Sequence, residues 1–347
     1  MTRLLTSALA VLAFAAGVAG QTSTTPAVPL DPITAILDAF RTHDIVALGE
    51  GRHNNEQGYQ FRLALIRDPR FPATVNDIVV ESGSSTHQNV MDRFIRGESV
   101  PDRLLRLAWQ DTTVPDGPWD IPMYEEFFKA VRAVNASLPT DRKLRVLLGD
   151  PPFDWEHARR EEAIRITVQR DPFAAELIQR EVLARKRRAL VIYGDGHFMR
   201  RPTLGGSSLV TRLEGMQARV LNIWTHTSGA DLQTLQPDVN TWPTPALAFT
   251  RGTTLGAAPF SVFRGVGASD GTRIEDEFDA VLYVGPSSSI TIRRSEIAPS
   301  LCEDAEYIKM RLSRMALIEA ANAPPPGIES PSERLKRYCA GVGAQLR

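Results

Sequence analysis

The chain has 347 residues, 43% of them hydrophobic, with 40 lysines and arginines against 41 acids and a formal net charge of −1. This is enough apolar material for a sizeable core, and the near-neutral balance removes any electrostatic argument for nucleic acid or an anionic membrane as partner. Charges of both signs are mixed along the chain, so no basic patch or acidic tail stands out.

Met1-Thr-Arg3 supplies a positive start, Leu4–Val18 an apolar run, Ala16–Gly20 small residues and Gln21–Thr25 a polar flank. That order predicts a secretory signal peptide over residues 1–20, cleaved near Ala19 or Gly20. The apolar run is short for a span of ~20 residues and no positive stop-transfer flank follows. The mature chain is therefore expected to have no stable membrane span and to be secreted or periplasmic. Residues 21–30 read as a flexible leader, 31–300 as one α/β domain, and 301–347 as a C-terminal helical annex of that domain.

A helix is expected from Asp31, an N-cap with Pro32 in the first turn. A buried strand follows at about 44–48, then Gly49 and Gly51, then a helix at about 56–67 ended by Pro69 and Pro72. The second strand is Asp77–Glu81, with Ser82–His87 as its turn and helices at about 86–96 and 101–109. Residues 110–122 hold three prolines, three aspartates and Trp119, the composition of a long loop that lids or walls a pocket. An amphipathic helix is expected at about 122–135 and a third strand at 144–148. Helices follow at about 155–169 and 173–187, broken at Asp171-Pro172. The fourth strand is Ala189–Tyr193, followed by a helix at about 206–214 and a fifth strand at about 218–224. Further strands are expected near 245–249 and 278–284, a glycine-rich loop at 250–276, and helices near 303–321 and 330–340. Short apolar runs alternating with helical periodicity predict an α/β fold, a mostly parallel central sheet flanked by helices.

In open α/β sheets ligands bind beyond the carboxyl ends of the strands. Four groups sit there: Glu50 with His53, Glu81, Asp150, and Asp195 with His197. Such a set can activate water by general-base catalysis, with a carboxylate orienting each imidazole, or it can hold a divalent metal through Glu50, His53, Glu81 and His197. Spacing alone leaves both open. A strand-end acid also serves as a helix cap or ion-pair partner, and Asp150 and Asp195 fit a turn-shaping role as well. Arg52 and Arg62 are the cations available for an anionic substrate, an oxyanion or a structural ion pair. His87 opens the helix after Glu81, and His226 follows a strand; each is a candidate for contact with the substrate. His43 and His157 read as surface residues. The sequence has no His-Glu-x-x-His pair, phosphate loop or dinucleotide fingerprint. Cys302 and Cys339, in an exported chain, are expected to form a disulfide that clamps the annex.

Leu48-Gly-Glu-x-x-His53 resembles the opening motif of the erythromycin esterase family, part of a wider group with the haem-binding ChaN-like lipoproteins and the Tiki/TraB metalloproteases. The resemblance continues at Ile78–Glu81, Phe127–Asn135, Lys143–Asp150 and Val191–His197, and covers about 40–200, more weakly to about 285. It implies a hydrolytic pocket with His53 as general base on water, Glu50 and Glu81 orienting it or the substrate, and His197 assisting from the other side. Where the esterases have His-Asn-x-His, this chain has Gly194-Asp-Gly-His197, a spacing nearer the Tiki and ChaN side. Arg52, Asp150, Asp195 and His87 are then the expected substrate-binding residues. The expected substrate is a small molecule or peptide, and the group allows no cofactor, a divalent metal or haem.

Overall fold

The protein is described here by a computed structural model covering residues 24–201, 206–227, 232–260, 271–293, 298–319 and 329–345. The expected signal peptide and the centre of the 250–276 loop lie outside the described residues. Seven strands form one sheet: β1 (Ile45–Gly49), β2 (Asp77–Ser84), β3 (Arg145–Asp150), β4 (Ala189–Tyr193), β5 (Val220–His226), β6 (Ala246–Phe249) and β7 (Ala280–Tyr283). Their order is β3-β2-β4-β1-β5-β7-β6. All pairings are parallel except β6 with β7.

Because side chains alternate across a strand, each apolar run feeds two cores. Val46, Leu48, Ile78, Val80, Leu190 and Ile192 enter one. Ile45, Ala47, Val79, Ala189 and Val191 enter the other. Helices cover both faces, as continuous rather than alternating hydrophobicity requires. Among the described residues no helix is long and apolar enough to cross a membrane.

Three expectations need correction. The described end of the leader is not a free tail: Ala27 is buried and exchanges hydrogen bonds with the Gln236 side chain (2.9 and 2.8 Å), and Leu30 pairs with Leu247 of β6. β2 runs on through Ser82–Ser84 with a register irregularity instead of turning after Glu81. Asp171-Pro172 does not break a helix; it lies in the first turn of the helix Arg170–Ile178. The missing proline N–H belongs to the group of donors that has no intrahelical partner there anyway. Arg170 and Asp171 thereby start a helix at the sheet's carboxyl rim.

The C-terminal segment folds as helices Pro299–Cys302, Ala305–Glu319 and Pro331–Gln345. The disulfide Cys302–Cys339 ties the first to the last.

Candidate active site

The turn after β1 is built to bring Glu50 and His53 together. Glu50 leaves the strand with its N–H donating to Tyr193 O at 2.8 Å. Gly51 has φ +68°, and a Cβ there would stand 2.3 Å from Thr227 Oγ1, so both conformation and space demand glycine. Buried Asn55 stitches the turn from below. Its Nδ2 donates to the carbonyls of Glu50 (2.7 Å) and Arg52 (2.6 Å), and its Oδ1 caps the next helix by accepting from Gly58 N (2.7 Å). The three-residue arc that results sets His53 Nδ1 2.8 Å from Glu50 Oε2. Arg62, buried one helical turn on, holds the other Glu50 oxygen at 3.5 Å.

The neighbouring strands supply the opposite wall. Glu81 accepts from Gly194 N (2.6 Å) through Oε2, and from Arg170 Nη2 (2.7 Å) and His197 Nε2 (3.2 Å) through Oε1. His197 Nδ1 is backed by Asp171 Oδ1 at 2.5 Å. A probe atom at the Cβ position of Gly194 would lie 3.4 Å from His53 Nε2 and 3.5 Å from Glu81 Oε2, which puts the free edge of His53 and the Glu81 carboxylate on one small volume. One donor atom each from Glu50, His53 and Glu81 falls within 4.8 Å of the other two.

A second tier holds this arrangement. Asp150 takes Arg170 Nε (3.0 Å) and Thr113 Oγ1 (2.8 Å) on Oδ1, and Thr113 N (2.6 Å) on Oδ2. It thus anchors both Arg170 and the 111–121 loop. That loop brings Trp119 edge-on to His53, ring centres 6.4 Å apart, and beneath the Arg170 guanidinium at 5.6 Å. The His53 side chain stays 37% exposed, while Glu50 and Glu81 keep 6% and 4%. The imidazole is accessible, and its supporting acids are not.

Burial alone would raise Glu50, but the Arg62 charge and the His53 hydrogen bond outweigh it and hold the carboxyl below its usual range. Burial opposes ionisation of Glu81 too, and His197 and Arg170 drive it well below. Burial would lower both imidazoles. The Glu50 hydrogen bond and charge instead push His53 up to about 9, and Glu81 with Asp171 pushes His197 up to about 9. At neutral pH both rings are therefore cationic in the free protein, each nitrogen carrying a proton.

Of the residues expected from sequence, Glu50, His53 and Glu81 bring donor atoms within 4.8 Å of one another, and His197 joins them through Glu81 Oε1 at 3.2 Å. Asp150 is buried and linked to Glu81 through Arg170, its carboxylate accepting from Thr113 and Arg170. Asp195 is buried under the turn, accepting from Gly51 N at 3.4 Å, and burial raises it to about 7 against the N–H groups of Gly51 and Thr225. It supports the turn from beneath. Arg52 is exposed on the rim. His87 is engaged by Asp111 (2.9 Å), not by the dyad. His226 is fully buried in β5, its ring 5.3 Å from Trp224. Sequence reading missed Arg170, Asp171 and Trp119. The Asp-Pro pair was the available signal for the first two, since an acid and a proline also mark a helix start.

No protein-family profile matches the chain, and no curated protein matches it in sequence. Solved structures do. An erythromycin esterase, EreC, in an open conformation aligns over 73% of this chain and 93% of its own at 13% identity, with a TM-score of 0.49. A Bacillus cereus protein aligns over 76% and 96% at 13% identity, TM-score 0.47. The haem-binding ChaN of Campylobacter jejuni aligns over 59% and 89% at 14% identity, TM-score 0.39. The α/β architecture of a mostly parallel sheet between helices is read from this chain's own strand order.

Proposed function

We propose that this protein is an exported hydrolase that cleaves an ester or amide with water activated by the His53–Glu50 pair. The observation that carries the reading is the pairing of two imidazoles across Glu81, each backed by a carboxylate of its own, Glu50 for His53 and Asp171 for His197. With Nδ1–H held by Glu50, His53 presents Nε2 to the volume beside Glu81 and Gly194. In its neutral form it takes a proton from water as the water oxygen bonds the carbonyl carbon. When the carbonyl carbon's bond to the leaving oxygen or nitrogen breaks, His197 gives the leaving group the Nε2 proton it otherwise directs at Glu81, and exchange with solvent then removes the proton from His53 and restores that of His197. Asp171 stabilises the charged form of that ring beforehand.

A second reading is metal-dependent hydrolysis. Glu50, His53 and Glu81 offer two oxygens and a nitrogen, a donor set suited to a divalent ion acting as Lewis acid. The charge balance favours the first reading: both carboxylates already face guanidinium groups, Arg62 and Arg170, which supply the positive charge a metal would bring. Haem finds less support. The cavity behind Glu50, between Arg62, Ser82, Tyr124 and Phe127, is about 20 Å³, and Trp119 occupies one side of His53.

The test is turnover of a panel of p-nitrophenyl esters and anilides by protein purified without chelator. His53→Ala is expected to abolish hydrolysis with the far-UV spectrum unchanged; retained turnover refutes the role. Stoichiometric divalent metal by elemental analysis, lost together with activity in that variant, would move the assignment to the second reading. A Soret band on haem titration, lost in His53 and His197 variants, would replace both. Export is tested by the mature N-terminus of protein recovered outside the cytoplasm, expected at residue 20 or 21.

A further inference from the structure

We infer that the C-terminal helix Ala305–Glu319 is a positioning element of the active site: through Asp120 it sets Trp119, and Trp119 sets His53 and Arg170. The inference rests on the hydrolase reading for its kinetic consequences, and on geometry alone for its spectroscopic one.

Trp119 and Asp120 are adjacent in sequence and joined to different partners. Trp119, 1% exposed, meets the His53 ring edge-on and lies under the Arg170 guanidinium. Asp120 meets the C-terminal helix. Arg311 Nη2 donates to its Oδ1 at 2.7 Å and Nε to its Oδ2 at 2.9 Å, while the Tyr307 hydroxyl donates to the same Oδ2. Both partners of the ion pair are sealed, with side-chain exposures of 1% for Arg311 and 0% for Asp120. Gly117 is shaped to it: its φ is +64°, and a Cβ would stand 2.4 Å from Asp120 Oδ2 and 3.0 Å from Arg311 Nε.

The same helix grips the start of the loop. Arg314 donates to Gln110 O (3.0 Å) and Asp111 Oδ1 (2.5 Å), and the other Asp111 oxygen takes His87 Nε2 (2.9 Å). On the sheet side Thr113 is fixed to Asp150. A loop already held at residues 110–113 gains little net stability from a fully buried ion pair further along, since a hydrophobic pair of similar volume does comparably well. What the bidentate fork adds is direction. It fixes the backbone at residue 120 and so the angle at which the indole beside it meets His53. The only other polar restraint on the His53 ring among the described residues is its bond to Glu50.

The experiment uses the full-length protein with histidine Cε1 labelled, the His53 resonance being assigned by its loss in His53→Gln. The variants are Trp119→Leu, Trp119→Phe and the paired replacement Asp120→Leu/Arg311→Met, which removes both charges together. Trp119→Leu and the paired variant are expected to move the His53 Cε1 resonance and to lower kcat about tenfold, with KM within about twofold, since a small misplacement of a catalytic group is felt mainly in turnover. Trp119→Phe should recover most of both. If the paired variant fails to fold, Tyr307→Phe, which removes a single hydrogen bond, is expected to shift the same resonance in the same direction by less. A folded paired variant, or Tyr307→Phe in its place, with His53 resonance and kcat at wild-type values overturns the inference. So does an unperturbed resonance in Trp119→Leu. If wild-type protein turns over none of the esters or anilides, the hydrolase reading fails, and the resonance shifts still decide whether the helix positions His53.

Discussion

His197 and Asp171 form the tightest contact in the site, Nδ1 to Oδ1 at 2.5 Å, and they come from elements that are unrelated in the chain: the short helical turn after β4 and the first turn of the helix Arg170–Ile178. Because the other nitrogen of the same ring faces Glu81, the proton on His197 is held between two carboxylates.

Asp171→Asn keeps the shape and removes one of those charges. The His197 pKa is expected to fall from about 9, because burial, which lowers it, is then opposed by the Glu81 carboxylate without the Asp171 charge. Turnover is expected to drop about tenfold as the acid is less well held in its charged form. Histidine NMR titration reads the first effect, and initial rates read the second.

The raised imidazoles make activity and stability move in opposite directions with pH. His53 works as a base only when neutral and His197 as an acid only when charged, so kcat/KM should climb about tenfold per pH unit from 7, pass through a maximum near 9 and fall above it. Stability follows the opposite sign. A group whose pKa is higher folded than unfolded stabilises fully below its unfolded value, near 6.5, and that contribution is lost as pH rises through about 9. The Tm is thus expected to fall between pH 6.5 and 9 across the window in which the rate rises. A pH–rate profile and calorimetric scans in the same buffers check both.

The sheet edge carries a separate prediction. β3 is an outer strand, yet two carboxamides take the place of a neighbour. Asn135 pairs with both backbone groups of Leu144 (2.9 and 2.8 Å), and Gln88 with Val146 O and Leu148 N (2.7 and 2.8 Å). This blunts an edge that would otherwise recruit other strands. Asn135→Leu leaves two buried backbone groups unsatisfied and should cost about 2–4 kcal/mol by denaturant titration. Gln88→Leu should promote aggregation, read by light scattering on warming.

The disulfide closes a separation of 37 residues around the helix that reaches Asp120. Its reduction should lower stability by about 2–4 kcal/mol, measured as a Tm shift with and without reductant. Loosening should begin in the C-terminal helices, observable as faster amide exchange in 305–319 than in β1 or β4.

Much of the frame was legible in the sequence for one physical reason. A parallel strand buried on both faces must be an unbroken apolar run, and where such a run stops at an acid the side chain stands on the ligand-binding rim. Glu50, Glu81 and Asp150 are found this way, and Gly51 explains the tight arc to His53. What escaped reading depends on contacts distant in sequence. Asp171-Pro172 has the composition of a break and the position of a helix start. Trp119 sits in a segment whose prolines say only that it is a loop. Arg311 pairs with Asp120 across 191 positions. Its one local trace is a cation on the stripe Tyr307, Arg311, Met315, where helical spacing calls for an apolar residue and a buried acid must then answer.

The central claim is that His53 and His197 act on the same reacting group. The most direct measurement is kcat/KM for one ester with wild type, His53→Gln, His197→Gln and the double variant. If both rings serve one water and one leaving group, the double variant will be about as slow as the slower single one, because groups that act as a unit are far from additive. Losses that multiply, with each single variant penalising turnover independently of the other, would contradict a shared site.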